Sequence, residues 1–312
     1  MRGFFKWQGN QLSFEGASFI FFNIFWVSFL VIAFGLWLFK DKVFQYFNSI
    51  DGRKTLSPRN IFIYSSASLI LVLNVVRLYV LIGSNYPNKW EYLPLHLCRI
   101  LVFSLMFCLY TKKIRWINYI GYTSIISAFV GLVLPDLSNN EYWQARGGVS
   151  IGIDSYIYWD FLLIHTIGFF VPIFVFIAFG QKITFSNYLA MFFVGFSIAL
   201  SIFVLNYILS SNSDPSWQSN WFYLSIDSIN TTYSSILGKA SSWPFHVFTF
   251  SFIGFAATTV ILIIYFLQDK VRIIYVNKKL TIKIIPSFNW MFFVDSYKEF
   301  SNKFKKVQNK NA

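Results

Sequence analysis

Residues 156–180 read YIYWDFLLIHTIGFFVPIFVFIAFG and contain one acidic residue but no Lys or Arg. A mostly apolar stretch of about 20 residues is long enough to cross the roughly 30 Å hydrocarbon core of a bilayer as a helix. The run therefore predicts a membrane-spanning helix. Seven such runs occur along the chain, at approximately 17–39, 61–84, 93–111, 116–135, 156–180, 184–209 and 243–268.

The composition also indicates an integral membrane protein. Of the 312 residues, 56% are hydrophobic and only 12% are charged, whereas about 25% of the residues in a soluble domain are charged. Helices are the open-chain structures that satisfy every backbone donor within lipid. We therefore expect an all-α, polytopic membrane helix bundle of about seven transmembrane helices in the cell membrane.

The net charge of +13 serves as a topology signal. If the amino terminus lies outside, nineteen of the 26 Lys and Arg residues fall on the cytoplasmic side. The positive-inside rule therefore predicts the N-terminus out and the C-terminus in. Because topology accounts for the excess of basic residues, a nucleic-acid partner is not predicted.

The same topology divides the chain into three parts. Residues 1–16 would form an extracellular segment, 17–268 a seven-helix transmembrane domain, and 269–312 a basic cytoplasmic tail. Residues 272–285 suit a short hairpin. An apolar stripe of Phe293, Tyr297, Phe300 and Phe304, accompanied by lysines, favours an amphipathic helix on anionic inner-leaflet lipid. A docking site for a cytosolic partner is the alternative. The loops at 136–155 and 210–242 are predicted to cover the outer end of the bundle.

Six ionisable side chains and one thiol interrupt four of the spans in their predicted outer halves. Such groups are costly in lipid and usually face a cavity or a partner. Because the inner half carries no ionisable side chain, we expect a polar cavity that opens outward. The seven residues are Arg77, His96, Cys98, Arg99, Asp160, His165 and His246.

Structural roles remain open for several of these residues. Arg99 can extend to lipid phosphates, and Asp160 can form an ion pair with Arg77 or Arg99. His246, beside Trp243, suits a packed position at a helix end.

Two kinds of chemistry fit the set. A thiolate with an imidazole base is a nucleophile, but His96 lies about 200° around the helix from Cys98, so His165 would have to be the base. Alternatively, two imidazoles activate water or a lipid hydroxyl. Cys98 and Cys108 lie about 15 Å apart along one helix, too far for a disulfide. No zinc-ligand spacing or Gly-rich phosphate loop is present, so no metal or cofactor is predicted.

Several segments resemble one membrane-protein family. LPLHLCRI (93–100), FLLIHTIGFFVPIF (161–174), NWFYLSID (220–227) and SSWPFHVF (241–248) are similar to motifs of the bacterial YwaF family, which is grouped with the animal transmembrane protein 164 acyltransferases. The resemblance implies a helix bundle with an intramembrane site that transfers acyl groups to lysophospholipids through a Cys and a His. His96 and His165 match the two motif histidines. The family Cys directly precedes the first His, where this chain has Leu95 instead.

We therefore expect a membrane-embedded enzyme, an acyltransferase or lipid hydrolase, whose partners are membrane lipids and an acyl-lipid substrate. The catalytic candidates are His96, His165 and Cys98, and the substrate-binding candidates are Arg77, Arg99, Asp160 and His246. A transporter or solute-binding protein that uses the same cavity is the alternative. A scaffold whose polar groups only join helices is a third hypothesis.

Overall fold

The chain forms a helical bundle with a short two-stranded sheet near its C-terminus. The computed structural model describes residues 3–7, 12–49, 57–135, 137, 151–212, 214–226, 237–276 and 279–311. Within these ranges, seven helical segments are long and apolar enough to cross a membrane. This result confirms the predicted all-α class and the number of spans.

The α-helices follow the chain in a simple order, with short 3-10 turns between some of them. Residues 89–92 and 114–116 form such turns before α4 and α5. The described α-helices are α1 (Gly16–Leu38), α2 (Lys40–Ser49), α3 (Pro58–Gly83), α4 (Leu97–Tyr110), α5 (Ile117–Val133), α6 (Tyr156–Ala178), α7 (Phe185–Ser210), α8 (His246–Lys270) and α9 (Phe288–Asn311).

Local sequence explains where several helices begin. Ser57 caps α3 by accepting a hydrogen bond from the Asn60 N–H, and Pro58 occupies the first turn, where its missing N–H costs nothing. Thr184 and Asn187 form a reciprocal capping box at the start of α7. The observed ends of the seven spans lie within about four residues of the predicted ones.

Helix α6 is the centre of the bundle. In its most apolar window 72% of the residues are buried, against 11% in α1 and 17% in α7 and α8. It packs most closely on α5 and also contacts α1, α2, α3 and α4. The outer helices present large apolar side chains to their surroundings, including Ile24, Val31, Phe193 and Phe252.

The two ends of the bundle differ in chemistry. The C-terminal end of α3, the N-terminal ends of α4 and α6, and the N-terminal segment 3–7 lie together. The Trp7 N–H donates to Ser84 Oγ just after α3, Ser155 Oγ donates to the Trp7 carbonyl, and Arg99 of α4 pairs with Asp160 of α6. We call this the polar end, since the side chains of Arg77 and Asp160 lie there. The opposite end, where Arg59 and Lys112 line a common pocket, is called the basic end. Which end faces the outside remains a prediction.

The predicted hairpin is present at the basic end. Strands β1 (Val271–Val276) and β2 (Lys279–Ile284) pair antiparallel, with Val271 opposite Ile284. Lys40 holds the start of the hairpin, since its ammonium donates to the carbonyls of Gln268 and, at 2.6 Å, Val271. Burial, with Arg272 nearby, lowers the pKa of Lys40 to about 8.

Helix α9 begins five residues before the predicted stripe and packs on α7. The Phe185 ring, at the start of α7, lies 5.9 Å from Phe293, 4.9 Å from Tyr297 and 5.4 Å from Phe300 between ring centroids. These three stripe residues therefore help dock α9 to the bundle. Contact of α9 with lipid stays a prediction, and the side chain of Phe304, the fourth stripe residue, lies outside the described residues.

Close packing of α5 on α6 predicts a strict size limit at Gly121. A Cβ there would lie 2.6 Å from Phe176 Cζ and 3.3 Å from Pro172 Cβ. We expect Gly121→Ala to lower the free energy of unfolding by about 1–3 kcal/mol through overpacking. Gly195→Ala in α7, where a Cβ meets no atom within 4 Å, is the matched control and should cause no loss. Thermal unfolding in detergent measures both, and equal stability of the two variants would contradict the packing argument.

Candidate functional site at the polar end

His96 stands at the entrance to α4. It is the N-cap residue, and its carbonyl accepts the Ile100 N–H at 2.9 Å. The 3-10 turn of residues 89–92 precedes it and places the Trp90 ring 5.4 Å from the imidazole. Pro94 lies between this turn and His96, which favours an extended approach to the helix. The His96 side chain is half-buried.

A four-residue ionic network occupies the polar end. Asp160 on α6 forms ion pairs with Arg99 on α4 and, at 3.3 Å from Nε, with Arg77 on α3. Arg77 also pairs at 2.8 Å with Glu91, and the side chains of all four residues are at most 13% exposed. The two positive and two negative charges balance. The network therefore joins three helices and the 89–92 turn without leaving a net charge.

Neighbouring polar groups complete this network. Tyr86 OH donates to Glu91 Oε1 at 3.1 Å, and Arg99 Nη1 lies 3.5 Å from the Asn74 side-chain oxygen. Burial, followed by the nearby Glu91 carboxylate, raises the pKa of Tyr86 well above its ordinary value, so its hydroxyl keeps the proton that it donates. Buried ions need such additional hydrogen bonds to offset the loss of water.

His165 lies five residues after Asp160 on α6, and a hydrogen bond orients its ring. Nδ1 is 2.7 Å from the Phe161 carbonyl oxygen, and the Phe161 ring lies 4.1 Å from the imidazole. Because a carbonyl oxygen only accepts, Nδ1 carries the proton and Nε2 of the neutral ring has a free lone pair. Nε2 faces α5, where a Cβ on Gly131 would lie 2.6 Å from it. The missing side chain at Gly131 makes room for the imidazole.

The Cys98 side chain faces the same side of α5 as the His165 imidazole. Its thiol donates to the Ser127 carbonyl at 3.5 Å, and Ser127 and Gly131 are one helical turn apart. His96 is close enough to Arg77, Arg99 and His165 to interact electrostatically with all three. Two imidazoles, one thiol and the ionic network therefore meet where α4, α5 and α6 converge.

The chain matches one protein-family model, that of the TMEM164 family, over residues 12–265. The chain belongs to the TMEM164 family. The match spans the whole site and the seven candidate spans apart from the end of α8, so the protein is a multi-pass membrane protein. No curated protein and no solved structure showed a significant match. The narrower YwaF and bacterial assignments stay predictions.

This TMEM164-family protein brings together six of the seven residues predicted from the sequence, and His246 is the exception. His246 is buried at the start of α8, 5.7 Å from the Phe203 ring on α7 and near the backbone of Leu224 and Ser242. None of these neighbours belongs to the helices that carry the ionic network. Its predicted substrate-binding role therefore has no geometric link to His96 and His165.

Sequence reasoning overlooked three residues of the site. Glu91 balances Arg77, and its position just before the PLHLC segment, at the mouth of an apolar run, is a signal that could have found it. Ser127 and Gly131 contact the thiol and the imidazole through backbone atoms. Backbone contacts depend on how α5 packs, and the identity of these two residues does not reveal them.

Part of the predicted cover lies over this end. Trp221 stacks edge-on against Trp90 at 5.7 Å, and Asn206 on α7 holds the backbone of Trp221 through its side-chain amide.

An ion pair also joins the predicted cover to the turn before α4, since Lys89 pairs with Asp214 at 3.0 Å. Hydrogen bonds from Ser216, followed by that from Lys89, lower the pKa of Asp214 to about 2. Residues 136, 138–150, 213 and 227–236 of the predicted cover lie outside the described residues, and an outward-opening cavity stays a prediction.

The ionic network predicts a large cost for losing its central carboxylate. Asp160→Asn leaves two buried guanidinium groups with one carboxylate, so we expect a loss of about 3–5 kcal/mol in the free energy of unfolding. Asp295→Asn is the matched control, because its pair with Lys298 is about two-thirds exposed and should contribute no more than about 1 kcal/mol. Thermal or denaturant unfolding in detergent provides the comparison. Equal effects would show that Asp160 is not a structural centre.

Proposed function

We propose that this TMEM164-family protein is a membrane-embedded lipid-modifying enzyme, an acyltransferase or lipid hydrolase, with His165 as its general base. The observation that carries the proposal is the hydrogen bond from His165 Nδ1 to the Phe161 carbonyl. This bond leaves Nε2 as the unprotonated ring nitrogen, and Nε2 faces α5 at Gly131. A base oriented by a second hydrogen bond is the usual arrangement in acyl-transfer enzymes.

The proposed reaction needs no external oxidant or reductant. Nε2 of His165 removes the proton from a lysolipid hydroxyl or from water while that oxygen attacks the carbonyl carbon of an acyl lipid. A new carbon–oxygen bond forms, the bond to the leaving oxygen breaks, and the imidazolium returns the proton to the leaving group. A lysolipid acceptor gives acyl transfer, and water gives hydrolysis. A correctly placed general base contributes about 10²–10⁴ in rate.

His96 and Arg99 would assist electrostatically. Both lie near His165, in a region where Arg99 is buried, and electrostatic interactions are stronger there than in water. Arg77 and Arg99 contact carboxylates in this structure, so a direct contact with a headgroup phosphate would require a change of partners. Their substrate-binding role, like that of Asp160, stays a prediction.

Cys98 offers a second route through a covalent intermediate. The family resemblance implies a cysteine nucleophile, and Cys98 faces the same strip of α5 as His165. Its thiol would have to leave the Ser127 carbonyl and transfer its proton to His165 before attack. The thiolate would then attack the carbonyl carbon of an acyl lipid, and the imidazolium of His165 would protonate the leaving oxygen as its bond to carbon breaks. His165 would next remove the proton of a lysolipid hydroxyl as that oxygen attacks the thioester, and returning this proton to sulfur would regenerate the thiol. The two routes predict different effects of removing the sulfur.

The predicted topology gives the proposed site an orientation. With the N-terminus outside, as the positive-inside rule predicts, the polar end lies in the outer half of the bilayer. The substrates would then be outer-leaflet lipids of the cell membrane.

Substitution of His165 tests the proposal. Purified protein in lipid nanodiscs would receive an isotope-labelled phospholipid with or without a lysophospholipid, and mass spectrometry would follow labelled lipid and free fatty acid. We expect His165→Ala to lower turnover at least about 100-fold because the general base is lost. Cys98→Ala separates the routes, since only the thiolate route predicts a comparable loss. Full turnover by a folded His165→Ala protein would refute the catalytic role.

A glycine pair tests the geometry without removing the imidazole. Gly131→Ala should reduce turnover because the new methyl group displaces the His165 ring, whereas Gly254→Ala on α8, where a Cβ meets nothing within 4 Å, should not. Melting temperatures of all variants report folding. An absence of lipid turnover in the folded wild type, together with binding of a hydrophilic solute that depends on His165, would favour the transporter alternative.

A further inference from the structure

Four cationic side chains surround a pocket at the basic end, opposite the candidate active site. Arg59 comes from the first turn of α3, and Lys112, Lys113 and Arg115 come from the turn between α4 and α5. The pocket has a volume of about 420 Å³, and Ile114, Trp116 and Gln181 complete its lining. Nothing in the proposed function uses these residues.

The pocket holds its positive charge without a counter-charge from the described part of the chain. None of the four side chains forms an ion pair with a described carboxylate, whereas the cations at the polar end do. Three of them lie over aromatic rings: Arg59 is 4.5 Å from the Phe179 centroid, Lys112 is 5.2 Å from Tyr64, and Lys113 is 4.5 Å from Trp116. Rings orient cations but do not neutralise them. An anion would therefore relieve the mutual repulsion.

The backbone adds to the positive potential. Helices α3 and α5 both begin at this end, at Pro58 and Ile117, and each is much longer than eight residues. Helix N-termini carry partial positive charge and attract anions. Two N-termini and four cations together favour a group with more than one acidic oxygen, such as a phosphate.

A separate apolar groove adjoins the pocket and runs along the bundle. Trp116 lines both, and the groove follows α4 and α5 past Phe107 and Phe103 to Pro94, with a volume of about 550 Å³. Helix α4 spans about 20 Å at 1.5 Å per residue, so the groove has the length scale of an acyl chain. Phe103 and Phe107 are exposed along it, and in a membrane they would face lipid.

We propose that the pocket and groove together form a binding site for one anionic phospholipid. The phosphate would occupy the cationic pocket, and one acyl chain would lie along the α4–α5 groove. Basic pockets between membrane helices recognise anionic headgroups, and Trp116 lies where the polar and apolar parts meet, the usual position of Trp at a membrane interface. The adjoining apolar groove favours a lipid over free phosphate, which would leave the groove unused.

Selective lipid retention tests this site independently of catalysis. Native mass spectrometry of detergent-purified protein, supplied with phosphatidylglycerol and phosphatidylcholine in equal amounts, should show preferential retention of phosphatidylglycerol. Each cation near a membrane surface is worth about fivefold in affinity. Lys113→Gln with Arg115→Gln should therefore weaken phosphatidylglycerol binding about 25-fold.

The matched control removes the same charge from the exposed strand β2 of the same chain. Lys279→Gln with Lys283→Gln should leave the preference intact, because these side chains are exposed and lie outside the pocket. Ser104→Phe, which fills the groove, should weaken binding of long-chain but not short-chain phosphatidylglycerol if a tail lies there.

Three outcomes would overturn the proposal. Equal retention of the two lipids by the wild type would remove the anionic selectivity, and this comparison stands even if the pocket variant fails to fold. Equal losses in the pocket and β2 variants would indicate a general charge effect. Displacement of phosphatidylglycerol by excess inorganic phosphate, with no effect of Ser104→Phe, would identify a free-phosphate site instead.

Discussion

The ion pairs of Asp160 with Arg77 and Arg99 are the constraint on which the polar end depends. An unpaired charge within a bilayer is costly, about 2.5–3.5 kcal/mol on insertion scales, so these side chains must meet when the helices assemble. Their meeting sets the rotation and depth of α3, α4 and α6 relative to one another. Glu91 extends the same constraint to the turn before α4. His96 and Cys98 lie just before Arg99 in the chain, so the network also positions them.

Close approach of α5 completes the arrangement. Gly121, Gly131 and Gly168 remove side chains from the α5–α6 interface, and a Cβ at each would meet side chains of neighbouring helices. The Ser124 hydroxyl donates to the Gly168 carbonyl at 2.8 Å, which joins the two helices directly. Small residues at helix interfaces are a common means of association in lipid, where apolar side chains gain little by leaving it. The space at Gly131 allows His165 to lie against α5 and near α4.

The two ends of the bundle differ in whether their cations are paired with carboxylates of the described chain. At the polar end, Arg77 and Arg99 are buried and paired with carboxylates from other elements, so these ion pairs join the helices. At the basic end, Arg59, Lys112 and Lys113 lie over aromatic rings and face a pocket. A neutralised network provides a stable frame for chemistry, whereas cations without a carboxylate partner attract an external anion. This contrast separates the proposed catalytic region from the proposed lipid site.

Much of the fold follows from the sequence alone. Seven apolar runs, the hairpin between Val271 and Ile284, and the helix ends at Ser57 and Thr184 depend on local composition and capping, which nearby residues determine. The sequence also indicated which polar residues belong to one half of the bundle, because position along a spanning helix gives depth. Tertiary structure alone decided that Asp160 pairs with both Arg77 and Arg99 and that Glu91 completes the network. It also decided that Nε2 of His165 faces Gly131 and that His246 packs against α7, away from the network. These facts depend on the rotation of each helix about its axis, and contacts between residues far apart in the chain set that rotation.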